Sequence, residues 1–386
     1  YDWWIGIASG GLLISATLLL TGAEWRGALN RLTETGALIA AAAAACYPII
    51  HLGRPWFFYW NLPYVNNLAL WPQFRSPLYW DAVDIISYLV IALAFWTIGL
   101  LPDLASLRDR AIDRWHETGR GRLRAQLYGI AALGWRGSAY HWHRWMRTYR
   151  LVAILGVLLV FSLQTGAAVM FAGTVEPGWH DTLLPAAFLF AAVFSGAAFM
   201  AAAAVVLRAI FGLEALITER HLRLLALMML GLGLVNLYCY AAEIFTTLLE
   251  NDRFETSNLA ARLSGPHAWA FWTIVICALL PVHVFWWRPA RYSPLAIMIV
   301  GLLVSAGLFA DHFMVIVVTL QSDFLPSSYH LYEADAWGVL TFVGSVGLFF
   351  ALCLLGLRYL PVVSIMEVRR LALAEAPVAG GQPHGV

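Results

Sequence analysis

The chain has 386 residues, of which 61% are apolar, 14% aromatic and only 12% charged. Soluble globular proteins carry about 25% charged residues, so half that share, with a mean hydropathy of +0.71, excludes an ordinary soluble enzyme and a disordered chain. The formal net charge of +1 excludes a polybasic nucleic-acid binder, and no nucleic acid is expected as a partner.

A helix crossing the hydrocarbon core needs roughly 20 mostly apolar residues. Nine such stretches follow one another: about Trp3–Thr21, Thr35–Ile50, Trp80–Leu101, Tyr149–Phe171, Leu184–Ile210, Leu224–Leu249, Ala268–Trp287, Ser293–Thr319 and Trp337–Tyr359. The runs are continuous rather than alternating, which speaks against strands. The predicted fold is all-α, polytopic and embedded in membrane lipid. The chain starts at Tyr1 without methionine, so upstream residues are expected to be missing, and no signal peptide is visible. Cys46, Cys239, Cys277 and Cys353 lie in apolar runs and form no CxxC or CxxCH pattern. The chain therefore offers no c-haem attachment and no iron–sulfur ligand set, and no metal site is predicted.

Every positive side chain is one of 24 arginines, and their distribution sets the orientation. With the loop Pro102–Arg150 inside, twenty arginines are cytoplasmic and only Arg54, Arg75, Arg253 and Arg262 remain outside. Tyr1 is then outside and the tail Pro361–Val386 inside; the tail's last residues read as disordered. The long inner loop contains "GRLRAQLYGIAALGWRGSAYHWHRWMRTYR". It reads either as an amphipathic helix on the inner surface or as a solvated basic loop.

The first outer segment, His51 to Asp84, breaks the pattern. It holds two of the four outer arginines and ten aromatic residues, including Trp56 and Tyr59. An aromatic belt accounts for most of those rings. It does not account for His51 at the end of one span, or for Asp81 and Asp84 one turn apart at the start of the next. An imidazole, two carboxylates and the Arg54 guanidinium at a wet/apolar boundary suit a ligand with a polar head and a lipid-soluble tail. Further along, Glu243, Asp311, His312 and His283 are ionisable residues in or close to spans. Such residues are candidates for proton transfer, or alternatively for helix-to-helix hydrogen bonding.

The run "HLGRPWFFYWNLPYVNNLALWPQFRSPLYWD", with "GLLPDLASLRDRA", "DFLPSSYHLY" and "SIMEVR" further on, resembles the membrane subunits of the NrfD/PsrC (polysulfide reductase) superfamily. It is most like the large quinol-binding subunit of alternative complex III. The resemblance implies two four-helix bundles plus a flanking helix, with one more helix upstream of Tyr1. Residues 1–171 would form the first bundle, 172–319 the second, and 320–386 an outer loop, the last span and the tail. It implies a multi-pass protein of the bacterial inner membrane. Menaquinol or ubiquinol would be the substrate, bound in the first bundle near the outer face. The resemblance assigns the quinol chemistry to His51 and Asp81. It implies partners: a periplasmic iron–sulfur subunit, c-type cytochrome subunits carrying the haems, and a second membrane subunit of the same family. The second bundle would carry protons. One departure is that the family's Gly-His in the first bundle helix reads Ala8-Ser9 here.

Quinol oxidation releases two electrons and two protons. A histidine, with an ordinary pKa near about 6.5, can accept a hydroxyl proton, and a carboxylate can orient it. On this reading His51 and Asp81 are catalytic, and Arg54, Trp56, Tyr59 and Asp84 are candidate quinone-binding residues. Arg54 holds the loop or Asp81 rather than giving up a proton. Asp84, Glu243, Asp311, His312 and His283 form a candidate proton path. The alternatives are an anchor for a molybdenum or polysulfide-type oxidoreductase, a purely structural subunit, a b-type cytochrome and a secondary transporter.

Overall fold

The computed structural model describes residues 1–51, 54–61, 77–321, 324–366 and 368–369. Among the described residues nine helices are long and apolar enough to span a bilayer, one for each predicted stretch. In chain order the α-helices are α1 (Asp2–Leu20), α2 (Asn30–His51), α3 (Pro77–Thr118), α4 (Arg122–Ala131), α5 (Ala139–Ala172), α6 (Leu184–Phe211), α7 (Glu219–Glu250), α8 (Arg253–Ser264), α9 (Ala268–Thr273), α10 (Pro294–Phe313) and α11 (Ala336–Tyr359). The protein is an all-α, multi-pass membrane protein.

Local signals set several helix starts. The Ser138 side chain accepts the His141 amide at the start of α5, Asp252 accepts two amides at the start of α8, and Asp335 accepts the Gly338 amide before α11. Each satisfies donors that have no partner within their own helix. Pro294 follows the Ser293 cap of α10, where a missing N–H does no harm.

Three elements depart from the predicted spans. Helix α3 runs through Pro102 to Thr118, 42 residues in all, or about 63 Å at 1.5 Å per residue, well beyond a hydrocarbon core of about 30 Å. Helix α5 starts ten residues before Tyr149. The predicted loop between these spans is therefore largely helical, with α4 between the two extensions. Helix α4 leaves Leu123, Leu127 and Ile130 exposed at helical spacing, beside Arg122 and Arg124. The seventh span is not one α-helix: α9 passes into a π turn at Ile274–Leu279 and a 3-10 stretch at Pro281–Trp286. Pro281 supplies no N–H to an α pattern.

Two apolar clusters organise the spans. One draws its residues mainly from α1, α2, α3 and α5. The other draws on α6, α7, α10 and the seventh span. The two groups meet where α1 crosses α6. A Cβ built on Gly10 would lie 1.9 Å from the Ala192 carbonyl oxygen, and one on Gly196 would lie 2.3 Å from the Gly10 carbonyl carbon. Backbone touches backbone there, as small residues allow in membrane helices. Helix α11 sits apart, packing chiefly on α2. Its Ser345 hydroxyl accepts from Trp4 Nε1 at 3.0 Å and from the Tyr47 hydroxyl at 2.9 Å.

Candidate functional site

Near the Tyr1 end of the molecule a cavity of about 330 Å³ opens between the two helix groups. Its lining is mostly apolar, with a few polar groups. Asp84 and Tyr88 enter from α3 four residues apart, hence on one helix face. Ser9 enters from α1, Gln164 from α5 and His312 from α10, and Trp179 comes from the connection between α5 and α6. Gln164 Nε2 donates to Ser9 Oγ at 2.7 Å. The Tyr88 side chain is only 3% exposed, and its hydroxyl has no hydrogen-bond partner among the described residues. A buried hydroxyl normally finds one, so this cavity presents a donor to whatever fills it. His312 Nδ1 lies 2.6 Å from the Leu308 carbonyl. A carbonyl only accepts, so Nδ1 carries the proton and the neutral ring's lone pair is on Nε2.

A smaller cavity of about 40 Å³ lies next door, and Phe188 lines both. Its walls include Asp181, Asn236, Tyr240, Glu243 and Asp311. The Tyr240 hydroxyl donates to Asp311 Oδ1. Glu243 is ion-paired: Arg262 Nη1 lies 2.6 Å from its Oε1. The same guanidinium donates to the Gly178 carbonyl at 3.0 Å and to Thr319 Oγ1 at 3.1 Å. Arg262, which the topology rule leaves as a stray outer charge, is thus the counter-ion of Glu243. Outside the spans, burial pushes the Glu255 carboxyl above the usual range, opposed by the Gly178 N–H it accepts and by the Arg262 charge. The chain has π turns at Ile274–Leu279 and at Met314–Val318, and Met314 and Val315 of the second line the smaller cavity. The second begins two residues after His312, and Trp179 Nε1 donates to its Val315 carbonyl at 2.6 Å. Such turns often mark functional sites.

The residues singled out from sequence fall into five sets, of which Glu243 and Asp311, on the smaller cavity, are described above. The side chains of His51 and Asp81 lie outside the described residues, although α2 ends at His51 and Asp81 is in the first turns of α3. Asp84 lines the larger cavity and His312 joins it from the other group. Arg54, Trp56 and Tyr59 are exposed, Trp56 by 68%, and are not among the described residues of the cavity wall. His283 lies in the 3-10 stretch of the seventh span, where its Nδ1 accepts from Trp286 Nε1 at 3.1 Å. Ser9, Tyr88, Gln164 and Trp179 were not singled out as site residues. The readable signal was Gln164, a lone amide in the apolar run of its span.

At the opposite end of α1 is a buried ionic cluster, also missed. Glu34 Oε1 lies 3.2 Å from Arg26 Nη2, and Glu34 Oε2 lies 2.9 Å from Arg31 Nη1. Arg31 Nε reaches Asp103 Oδ2 at 2.9 Å. The Tyr149 hydroxyl donates to Glu34 Oε1 at 2.5 Å, and the Ser15 hydroxyl donates to the same oxygen at 2.9 Å. Asp103 Oδ1 accepts the Met366 amide at 3.2 Å, which ties the segment after α11 to α3. Arg26 and Arg31, counted from sequence as inner loop charges, are buried. The hint was the pair of acids, Glu34 and Asp103, at the ends of apolar runs.

No curated protein matches the chain. The family profile described as "Polysulphide reductase, NrfD" matches residues 1–322. That match takes in every span but α11 and both cavities, and the chain belongs to the polysulphide reductase NrfD family.

Proposed function

We propose that the chain is the quinol-binding membrane subunit of an electron-transfer complex of the alternative complex III type. On this reading it oxidises menaquinol or ubiquinol near the extracytoplasmic face and passes electrons to an iron–sulfur subunit, then to c-type haems. NrfD-family chains are quinone-interacting membrane subunits of oxidoreductases and partner iron–sulfur subunits, which supports the coarse form. The observation that carries the site is the cavity between the helix groups, with the buried Tyr88 hydroxyl unpartnered among the described residues. Its volume of about 330 Å³ is in the range of small-ligand pockets, and such pockets combine apolar walls with a few placed polar groups.

Within this chain the residues hold, orient and deprotonate. Tyr88 donates to a ring oxygen. Gln164, already tied to Ser9, stiffens the wall. Asp84 is one turn beyond Asp81 on the same helix, so it can take a proton onward from the His51–Asp81 pair. Electrons leave to the partner, and the protons stay with these side chains. The expected result of His51→Ala and of Asp81→Asn is an assembled complex that has lost quinol-dependent electron transfer; full turnover in both would remove this pair from the chemistry.

The second helix group supplies the proposed proton path through Glu243, Asp311, His312 and His283. Its motive is their spread in depth and the clustering of Glu243, Tyr240 and Asp311 around the smaller cavity. Glu243→Gln with Asp311→Asn is expected to lower the number of protons moved per electron in proteoliposomes. An unchanged ratio would count against the path.

One observation favours a second reading, an anchor for a molybdenum or polysulfide-type oxidoreductase. The position that carries histidine in quinol-oxidising relatives is Ser9, already bonded to Gln164. The subunit composition of the purified complex separates the two: multihaem cytochromes support the first, a molybdenum subunit the second.

A further inference from the structure

The larger cavity is not built by the first helix group alone. α1, α3 and α5 supply Ser9, Asp84, Tyr88 and Gln164, and His312 comes across from α10 of the second group. Successive residues on an α-helix point about 100° apart. His312 therefore lines the larger cavity while Asp311, its neighbour, lines the smaller one. The tautomer is set by the Leu308 carbonyl at Nδ1. A second group held to His312 in this way leaves Nε2 as a ready acceptor.

We propose that His312 is a catalytic base of the quinol site, supplied by the second helix group. The inference rests on the reading of the larger cavity as that site. The titratable side chains of the described wall are those of Tyr1, just before α1, Asp2 of α1, Asp84 and Tyr88 from α3, and His312 from α10. Of these side-chain types only imidazole ordinarily titrates near neutrality. As the ring is oxidised, one hydroxyl O–H bond breaks and its proton forms an N–H bond at Nε2, giving the imidazolium. The other hydroxyl proton goes to the acid–base pair of the proposed function and from there on to Asp84. The two electrons pass singly to the iron–sulfur acceptor of the partner subunit, and the ring becomes the quinone. Loss of that proton to a carboxylate of the second helix group, for which Asp311 of the smaller cavity is the candidate, returns the ring to its neutral form. One of the two protons thereby enters the second helix group at the moment of oxidation.

The test uses the whole complex in nanodiscs with menadiol, a soluble naphthoquinol, as donor. In His312→Gln the amide can still donate to Leu308, so the fold is kept. We expect native quinone to be retained on extraction and KM to change little. Turnover should fall about 100-fold, the lower end for a lost general base. The acidic limb of the pH–rate profile should change from that of the wild type, because a base must be neutral to accept and one of the two imidazoles is gone. His312→Asn, a second variant, is read the same way. Wild-type turnover with the acidic limb intact overturns the proposal, as does a rise in KM at unchanged kcat, which would mean binding alone. A third variant, Ala167→Phe, fills the cavity from α5. If it keeps quinone and full turnover, the cavity itself is not the quinol site. If it loses both while His312→Gln keeps both, only the role of His312 is wrong.

Discussion

Removing the Glu34 carboxylate alone, as in Glu34→Ala, is expected to destabilise the folded chain by about 3–5 kcal/mol, the usual cost of breaking a buried ion pair. Glu34 is the hub of its cluster: both Arg26 and Arg31 lie against it, and Ser15 and Tyr149 donate to it. Its side chain is 0% exposed. Without it Arg26 keeps its charge in a site closed to water, because guanidinium does not deprotonate. Arg31 retains Asp103. The double variant Arg26→Leu with Glu34→Leu removes one charge of each sign and leaves Arg31–Asp103 balanced. It should recover much of the loss, since an apolar replacement of a buried pair is often neutral. Thermal unfolding in detergent compares the three chains. A single variant as stable as the parent, or a double variant worse than the single, would show that charge balance is not what holds this end together.

Alanine at Gly10 or Gly196 is the other severe change. A methyl group at either position meets backbone, at 1.9 Å and 2.3 Å respectively, and backbone cannot rotate aside as a side chain can. Overpacking commonly costs about 1–3 kcal/mol and occasionally more, and these two sites belong at the upper end. Gly231 in α7 and Gly344 in α11 are the controls, because a Cβ on either meets nothing within 4 Å. Alanine there should be neutral, or stabilising by up to about 1 kcal/mol through helix propensity. Equal melting temperatures for Gly10→Ala and Gly231→Ala would show that α1 and α6 can part without penalty.

The spans were legible because lipid demands long apolar runs, and all nine stretches carry them. Their ends were less so. Pro102 suggested a stop, yet α3 continues for four more turns and more. The seventh span gave no sign of its π turn beyond Pro281. Within the site, Asp84 and His312 were readable as ionisable residues in apolar surroundings. That they share one cavity was not, because they are 228 positions apart and belong to different helix groups. Tyr88 was hidden for a simpler reason: a tyrosine in an aromatic-rich chain draws no notice until its buried hydroxyl is seen to have no partner among the described residues. The burial of Arg26 and Arg31 was not readable, because counting charges by loop cannot tell a solvated guanidinium from one folded back onto a carboxylate. The His51–Asp81 pair drew its assignment from the resemblance of its segment.

The fused crossing of α1 and α6 bears on how a hydrophobic ring could come and go. A wall whose two backbones already touch has no slack, so it cannot swing outward like a shutter. That leaves α3 and α5 among the walls free of this crossing, and they expose Ile86, Val90, Phe161 and Val169 on their outer faces. If the larger cavity, which α3 and α5 both line, is the quinol site as proposed, the ring would pass between those two helices, laterally from the bilayer.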